Sequence, residues 1–224
     1  REVTGLDPMN VSMEIHTNMN PTVQAQLESI QAGTAGIDFP DDLYELGSIV
    51  INNQTGEIVG IMGGRNWASG GSMLLDHATE QFNQPGSTIK PVLDYALAFE
   101  DLGWATSHTV LDKPVTYGNW TFNNFDNTKW GVVDLPKAVG LSLNTVAINT
   151  LQAVIDKSGV QRVTNYLTSL GFSQFTPEIF DISFAIGGGN MRVSAKELAA
   201  ATGVLINGGN YIKPHTINTI FYRN

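Results

Sequence analysis

The stretch "QPGSTIKP", Gln84 to Pro91, sets Ser87 and Lys90 three residues apart between two prolines. If Gly86 ends a loop and Ser87 opens a helix, the two side chains share one face, one turn apart. Such a string is also what a capped helix start with a solvated lysine looks like. A serine hydroxyl becomes a good nucleophile only when a neighbouring base takes its proton, and a lysine amine serves once burial or a nearby cation lowers its pKa. A helix N-terminus adds unpaired N–H groups that favour the oxyanion formed on attack. Pro91 has no N–H, and its ring conflicts with the carbonyl of Ser87, so the first turn is expected to be tightened or distorted.

Outward from this stretch, the residues Ile89, Leu93, Leu97 and Ala98 predict a helix from Ser87 to about Glu100, disturbed by Pro91. Upstream, "LGSIVINNQTGEIVGIMGG" places β-branched runs on either side of Asn52–Gly56 and predicts a hairpin over Leu46–Met62. Arg65–Gly86 has no clean period and is expected to be an irregular crossing. Nearer the N-terminus, Val11, Met13 and Ile15 alternate as in a strand. Asn20 before Pro21 caps a helix with Val23, Leu27 and Ile30 on one face. "QAGTAGIDFPDD" then reads as a linker.

Downstream, Asp112–Asp134 is aromatic and Asn-rich and is expected to be a long structured loop carrying Trp120, Phe122, Phe125 and Trp130. Leu135 to about Val154 is helical with a break near Gly140-Leu141-Ser142, and Val160–Leu170 is a second helix ending at Gly171. Ser194 and Glu197 form a capping box for a third. "INGGNYIKP" predicts a hairpin turn with strands around Gly208-Gly209.

Composition narrows the function classes. The chain has 224 residues, 42% of them apolar and only 15% charged, enough to bury a sizeable core under a mostly neutral surface. A formal charge of −9 without any basic run argues against nucleic acid or an acidic membrane surface as partner. The absence of cysteine removes disulfides, thiolate catalysis and Cys-ligated metals together. His16, His77, His108 and His215 are scattered without ligand spacing, so no metal is expected. No apolar run reaches the ~20 residues of a membrane helix. Opening at Arg1 without an initiator Met, the chain reads as a piece of something longer.

Ser142 and Asn144 in "VGLSLNTVAIN" form a second polar pair flanked by helical sequence. A second hydroxyl can relay a proton to a leaving amine, and a carboxamide offers a donor and an acceptor to a peptide bond. Either pair alone is weak, since a Ser-x-Asn string also fits a simple turn. The order of elements is more informative: hairpin, crossing, "FNQPGSTIKP", aromatic stretch, "SLN" in a helical region, then "NGGNYIKPHTI".

That order resembles the transpeptidase domain of class A, bifunctional penicillin-binding proteins. Ser-x-x-Lys, Ser-x-Asn and Lys-Thr-Gly together mark these proteins and class A β-lactamases. The resemblance covers nearly the whole chain and implies an α/β (α+β) fold, with a central antiparallel sheet flanked by helices and incomplete here. It implies Ser87 as acyl nucleophile, Lys90 as proton acceptor, Ser142 as proton shuttle to a departing D-alanine, and Asn144 as a ligand of the donor peptide amide. Trp130 and Phe125 would wall the cleft or merely pack their own loop, as would Trp120. No cofactor is implied. The partners would be peptidoglycan stem peptides, β-lactam antibiotics and a complementing C-terminal fragment.

The resemblance implies that the third motif is to be expected beyond Asn224. Lys157-Ser158-Gly159 is rejected for that role, because it lies in a turn between two helices. The missing part would supply most strands of the sheet and the second oxyanion donor, and a lone hairpin would expose an apolar edge. The chain is therefore expected to be the N-terminal part of the domain, the remainder forming a separate polypeptide, with residues 1–40 as a linker from a glycosyltransferase domain and 41–224 carrying both motifs. The resemblance places the protein on the extracytoplasmic face, anchored by an absent N-terminal segment.

Two alternatives stand beside the D,D-transpeptidase. A serine β-lactamase would need a deacylating glutamate, and Glu178 in "TPEIFDI" lacks the Leu-Asn pair of that loop, so it reads as a loop carboxylate. A non-catalytic β-lactam-sensing or peptidoglycan-binding module would keep the fold without turnover. "AIGGGN", Ala185–Asn190, fits neither a dinucleotide fingerprint nor a P-loop and reads as a tight turn. Asp76 and His77 suggest no triad, since no Gly-x-Ser-x-Gly elbow frames a serine.

Overall fold

The computed structural model describes residues 4–7, 9–65 and 74–223. These divide into two compact units, one formed by residues 1–80 with 212–224 and the other by residues 81–211.

In the first unit, strand β1 (Met13–Thr17) pairs antiparallel with β8 (Ile217–Tyr222), from Met13 opposite Tyr222 to Thr17 opposite Ile217. Helix α1 (Pro21–Gln31) starts as its sequence dictates: Asn20 accepts from the N–H groups of Thr22 and Val23 at 3.0 and 3.3 Å, with Pro21 at the first helical position. The expected hairpin is β2 (Ser48–Ile51) with β3 (Ile58–Met62). Helix α1 lies on β3, and Gly60 lets it come close: a Cβ there would stand 2.8 Å from Val23 and 3.0 Å from Leu27. Gln24 also bonds both the carbonyl and the N–H of Ile61 at 3.0 Å, so part of the β3 edge is covered by a side chain. Beside β2 no further strand lies among the described residues.

The second unit carries the larger core. Helix α4 (Asn144–Ser158) is at its centre, burying Ala147, Ile148, Leu151 and Val154 against α2 (Ala96–Leu102) and α5 (Val160–Ser169). Phe172, Phe175 and Phe184 close the core through edge-to-face contacts with centroids 5.8 and 5.6 Å apart. Helix α3 (Leu135–Gly140) and α4 are the predicted helix with its break at residues 141–143, and α6 (Ala195–Gly203) has the full capping box of Ser194 and Glu197. Lys157 and Ser158 end α4, and Gly159, at φ +80°, joins it to α5, so the string lies at a helix–helix junction and not on a strand.

Three sequence expectations need correction. The stretch Asp112–Asp134, expected to be a long structured loop, contains strands: β4 (Thr109–Asp112) pairs with β7 (Gly131–Asp134), and β5 (Val115–Tyr117) pairs with β6 (Trp120–Phe122). Strands of three or four residues are too short to show a period. Around Gly208-Gly209 there are turns without flanking strands; the next strand, β8, pairs with β1 at the other end of the sequence. Third, the helix expected from Ser87 is three structures in succession: a 3₁₀ turn over Gly86–Ile89, a wide π turn over Pro91–Tyr95, then α2. Pro91 accounts for the first break, since it has no N–H to give the carbonyl of Ser87, which takes the N–H of Lys90 at 3.3 Å instead; the carbonyl of Lys90 then takes the N–H groups of both Asp94 (3.0 Å) and Tyr95 (3.3 Å). Of the irregular crossing expected over Arg65–Gly86, residues 66–73 lie outside the described residues. From Leu74 the chain runs without regular structure through a turn at residues 77–80 to an antiparallel bridge between Asn83 and Val193.

Candidate active site

Ser87 stands exposed in the 3₁₀ turn, while Lys90 at the end of that turn is 2% exposed. The turn is held from behind by the glycine-rich segment after Ile186. Asn83 and Val193 exchange backbone bonds at 3.0 and 2.9 Å, Gly86 N–H donates to the carbonyl of Gly187 at 3.3 Å, and Gln84 donates to the carbonyl of Gly189 at 2.7 Å. Gly187 is at φ +66°, and a Cβ there would lie 2.2 Å from the carbonyl oxygen of Gly86. Only glycine permits both the conformation and the approach. The tight turn read in "AIGGGN" is thus also the support of the Ser87 turn.

The second motif occupies the break between α3 and α4. Ser142 is a non-glycine residue at φ +52°. Its left-handed turn aims both the carbonyl and the hydroxyl oxygens at Lys90, whose Nζ donates to them at 2.6 and 3.2 Å. Asn144, at the first position of α4, accepts a third bond from Nζ through Oδ1 at 2.7 Å. An ammonium has three donors and no acceptor, and all three are engaged here. Burial pushes the Lys90 pKa down to about 8, with the Asp94 carboxyl opposing the shift.

The structure therefore brings Lys90, Ser142 and Asn144 into direct contact. Among the described residues no side-chain hydrogen bond joins Ser87 to Lys90, and the two serines instead line a common cleft of about 350 Å³ with Asn144, Phe125 and Trp130. Phe125 is fully exposed at 100%, and Trp130 is half-exposed with the Lys137 ammonium 4.1 Å from its ring centroid. Trp120 does not join them; it lines a separate cleft with Tyr117 and Phe122. Glu178 lies on an exposed 3₁₀ turn and does not line the serine cleft, and a hydrogen bond from Thr176 holds its carboxyl below the usual range.

Sequence reasoning missed two buried carboxylates. Asp94, fully buried, sits one turn after Lys90, and neither of its oxygens has a hydrogen-bond partner. Desolvation raises its pKa well above the carboxylate range, the Lys90 charge opposing. An acid inside the apolar run of Val92, Leu93 and Tyr95 was a visible signal. Asp112, 1% exposed, accepts from Asn124 and Thr145 side chains and from the Trp130 N–H. Nothing local marks it.

The family model described as the penicillin binding protein transpeptidase domain matches residues 47–223. The chain belongs to this family. Penicillin-binding protein 1A of Streptococcus oralis is 31% identical over 98% of this chain and 35% of its own length. Penicillin-binding protein 1A/1B of Bacillus subtilis is 30% identical over 98% of this chain and 23% of its own length. The chain thus spans about a third or less of these curated relatives. The resemblance to class A penicillin-binding proteins is borne out by these relatives. PonA1 from Mycobacterium tuberculosis, solved in complex with penicillin V, superposes with a TM-score of 0.80 over 99% of this chain and 59% of its own, at 20% identity. Penicillin-binding protein 1A from Haemophilus influenzae gives 0.65 over 80% of this chain and 26% of its own, at 26% identity. These likenesses bear out the α+β transpeptidase fold that the order of motifs implied.

Proposed function

We propose that this penicillin-binding protein transpeptidase chain carries the acylating half of a D,D-transpeptidase that cross-links peptidoglycan stem peptides. One observation carries the reading: the Lys90 ammonium, buried, is bonded at once to Ser142 and Asn144, so two motifs over fifty residues apart meet on one nitrogen. In the described state that nitrogen is a donor only. Loss of one proton gives it a lone pair, and a pKa of about 8 makes this step accessible near neutral pH.

The amine then takes the proton of Ser87 Oγ as the oxygen bonds to the penultimate D-alanine carbonyl carbon. The 3.2 Å contact between Lys90 and Ser142 Oγ offers a path for that proton to the departing D-alanine nitrogen as the peptide C–N bond breaks. Asn144 would hold the donor amide, and the N–H of Ser87 would be one oxyanion donor. An amine acceptor on a second stem peptide completes the exchange. β-Lactams would acylate Ser87 in the same way, the leaving nitrogen staying tethered through the opened ring. PonA1, of the same fold, was solved with penicillin V, which supports this ligand class. The position of Glu178, away from the cleft, supports slow deacylation over a β-lactamase reaction.

Among the described residues no helix is long and apolar enough to cross a membrane. Membrane anchoring at the extracytoplasmic face, a preceding glycosyltransferase domain and a linker in residues 1–40 are part of this proposal, and the start of the family match at residue 47 supports the last. So is a complementing C-terminal polypeptide bearing a Lys-Ser/Thr-Gly strand, which the unpaired flank of β2 supports.

The test is labelling with a fluorescent penicillin in the presence of that polypeptide, followed by D-alanine release from a donor pentapeptide. Wild type should label and release, and Ser87→Ala should do neither. Labelling without release would favour the sensing module; labelling that survives Ser87→Ala would overturn the assignment of the nucleophile.

A further inference from the structure

The Ser142–Asn144 corner is fixed from outside its own helix. Helix α4 begins after Leu143, which offers no side-chain cap to the unpaired N–H groups of the first turn. Asn124, 5% exposed and on the segment between β6 and β7, supplies it from a distance: its Oδ1 accepts from the N–H of Asn144 at 2.8 Å and of Thr145 at 3.4 Å. Its amide nitrogen donates to Asp112 Oδ1 at 2.8 Å and to the carbonyl of Thr128 at 3.0 Å. With both ends bonded the amide has one orientation. Asp112 in turn receives the Thr145 hydroxyl on one oxygen and the Trp130 N–H, at 2.7 Å, on the other.

One buried carboxylate therefore ties together the start of α4, Asn124 and the backbone beside Trp130. Asn144 extends the chain of bonds to Lys90, and its own nitrogen donates to the carbonyl of Asn123 at 3.1 Å. Removing Asn124 frees the first turn of α4, hence Asn144, hence one of the three bonds that aim the lysine.

We propose that Asn124, anchored by Asp112, is a positioning residue that sets Asn144 and Lys90 for acylation and couples them to the segment bearing Phe125 and Trp130. The role rests on the reading of Ser87 and Lys90 as the acylating pair. A merely structural Asn124 would lower the fraction of folded protein without changing the rate of what remains; a positioning residue lowers the rate itself.

The experiment is Asn124→Ala in the full chain with its complementing polypeptide, read by rapid-mixing fluorescent-penicillin acylation and by amide hydrogen exchange at Asn144 and Thr145. Val154→Ala, in the core of α4, serves as a control of reduced stability. Expected are an acylation rate constant lower by about 10- to 100-fold, the scale of a misplaced reacting group, an unchanged final labelled fraction, and faster exchange at both amides. A rate within twofold of wild type, unchanged exchange, or an equal rate loss in Val154→Ala would each overturn the proposal. If wild type does not label at all, the nucleophile assignment fails instead, and the exchange measurement alone decides whether Asn124 holds Asn144. If Asn124→Ala does not fold, Asn124→Gln, which keeps the carboxamide but displaces it by one methylene and adds no charge beside Asp112, is read on the same scales.

Discussion

The state of Lys90 makes the sharpest prediction. Its pKa of about 8, against an ordinary value of 10.5, means that only about a tenth of the protein holds a neutral amine at pH 7. Acylation by a β-lactam should rise roughly tenfold per pH unit up to about pH 8 and level off above it. Lys90→Arg, which stays protonated at every accessible pH, should acylate about a thousandfold more slowly with no such rise. The same group should show in stability. Between pH 8 and 10.5 the unfolded chain keeps a proton on Lys90 that the folded chain has lost, so the Lys90 contribution to stability gains about 3 kcal/mol as pH rises through that window. Lys90→Met removes that gain. Its absolute stability at pH 7 should change little, because relief of the buried charge is offset by about 1–3 kcal/mol for each polar oxygen left unpaired at Ser142 and Asn144. Urea titrations of both proteins at pH 7, 8, 9 and 10 measure the difference in slope. Parallel curves, together with a pH-independent acylation rate, would refute the claim that Lys90 is held as a poised base.

Two further outcomes test the frame around the site. Gly187→Ala forces a Cβ into the backbone of Gly86 from a left-handed position, so it should cost more than about 2 kcal/mol in thermal unfolding and slow acylation of the protein that remains folded. Unchanged melting and an unchanged rate would show that the turn beneath Ser87 has slack. Asp94 has a raised folded pKa, so its contribution to stability is complete below the ordinary carboxylate range and is lost as pH rises. The advantage of Asp94→Asn over wild type should therefore grow with pH above about 4, by at most about 1.4 kcal/mol per pH unit; an advantage that shrinks with pH in differential unfolding would contradict a buried, protonated Asp94.

Local chemistry made the helices and their ends legible. Asn20-Pro21, the Ser194/Glu197 box and the alternation around Asn52–Gly56 each act within a few residues, and all three elements stand where those signals put them. Pro91 was equally informative, because its effect is covalent. The failures have the opposite character. Strand β8 is defined by β1, some two hundred residues away, so the glycines at Gly208-Gly209 promised a local hairpin that the long-range pairing supersedes. The ribbon β4–β7 is stabilised by the Val110–Val133 register and by Asp112, partners that no window of sequence contains together. Asn124 looked like one of many polar residues in "NWTFNNFDN", and only the position of α4 makes it a cap.

Two costs coincide at one point in this fold. A left-handed Ser142 costs roughly 1–2 kcal/mol relative to glycine, and burying Lys90 costs about 3 kcal/mol at neutral pH. Either is removable by a single substitution, glycine at the first position or methionine at the second, with the surrounding core intact. What neither substitution preserves is the hydroxyl and the amine facing each other at 3.2 Å with Asn144 alongside. Hydrogen bonding alone does not require this arrangement, since the carbonyl of Ser142 would be satisfied equally by any donor. On the proposed function, the pairing of a strained serine with a desolvated lysine serves a proton that crosses between them, with the charged lysine held by Ser142 and Asn144 and a neutral one free to accept from Ser87.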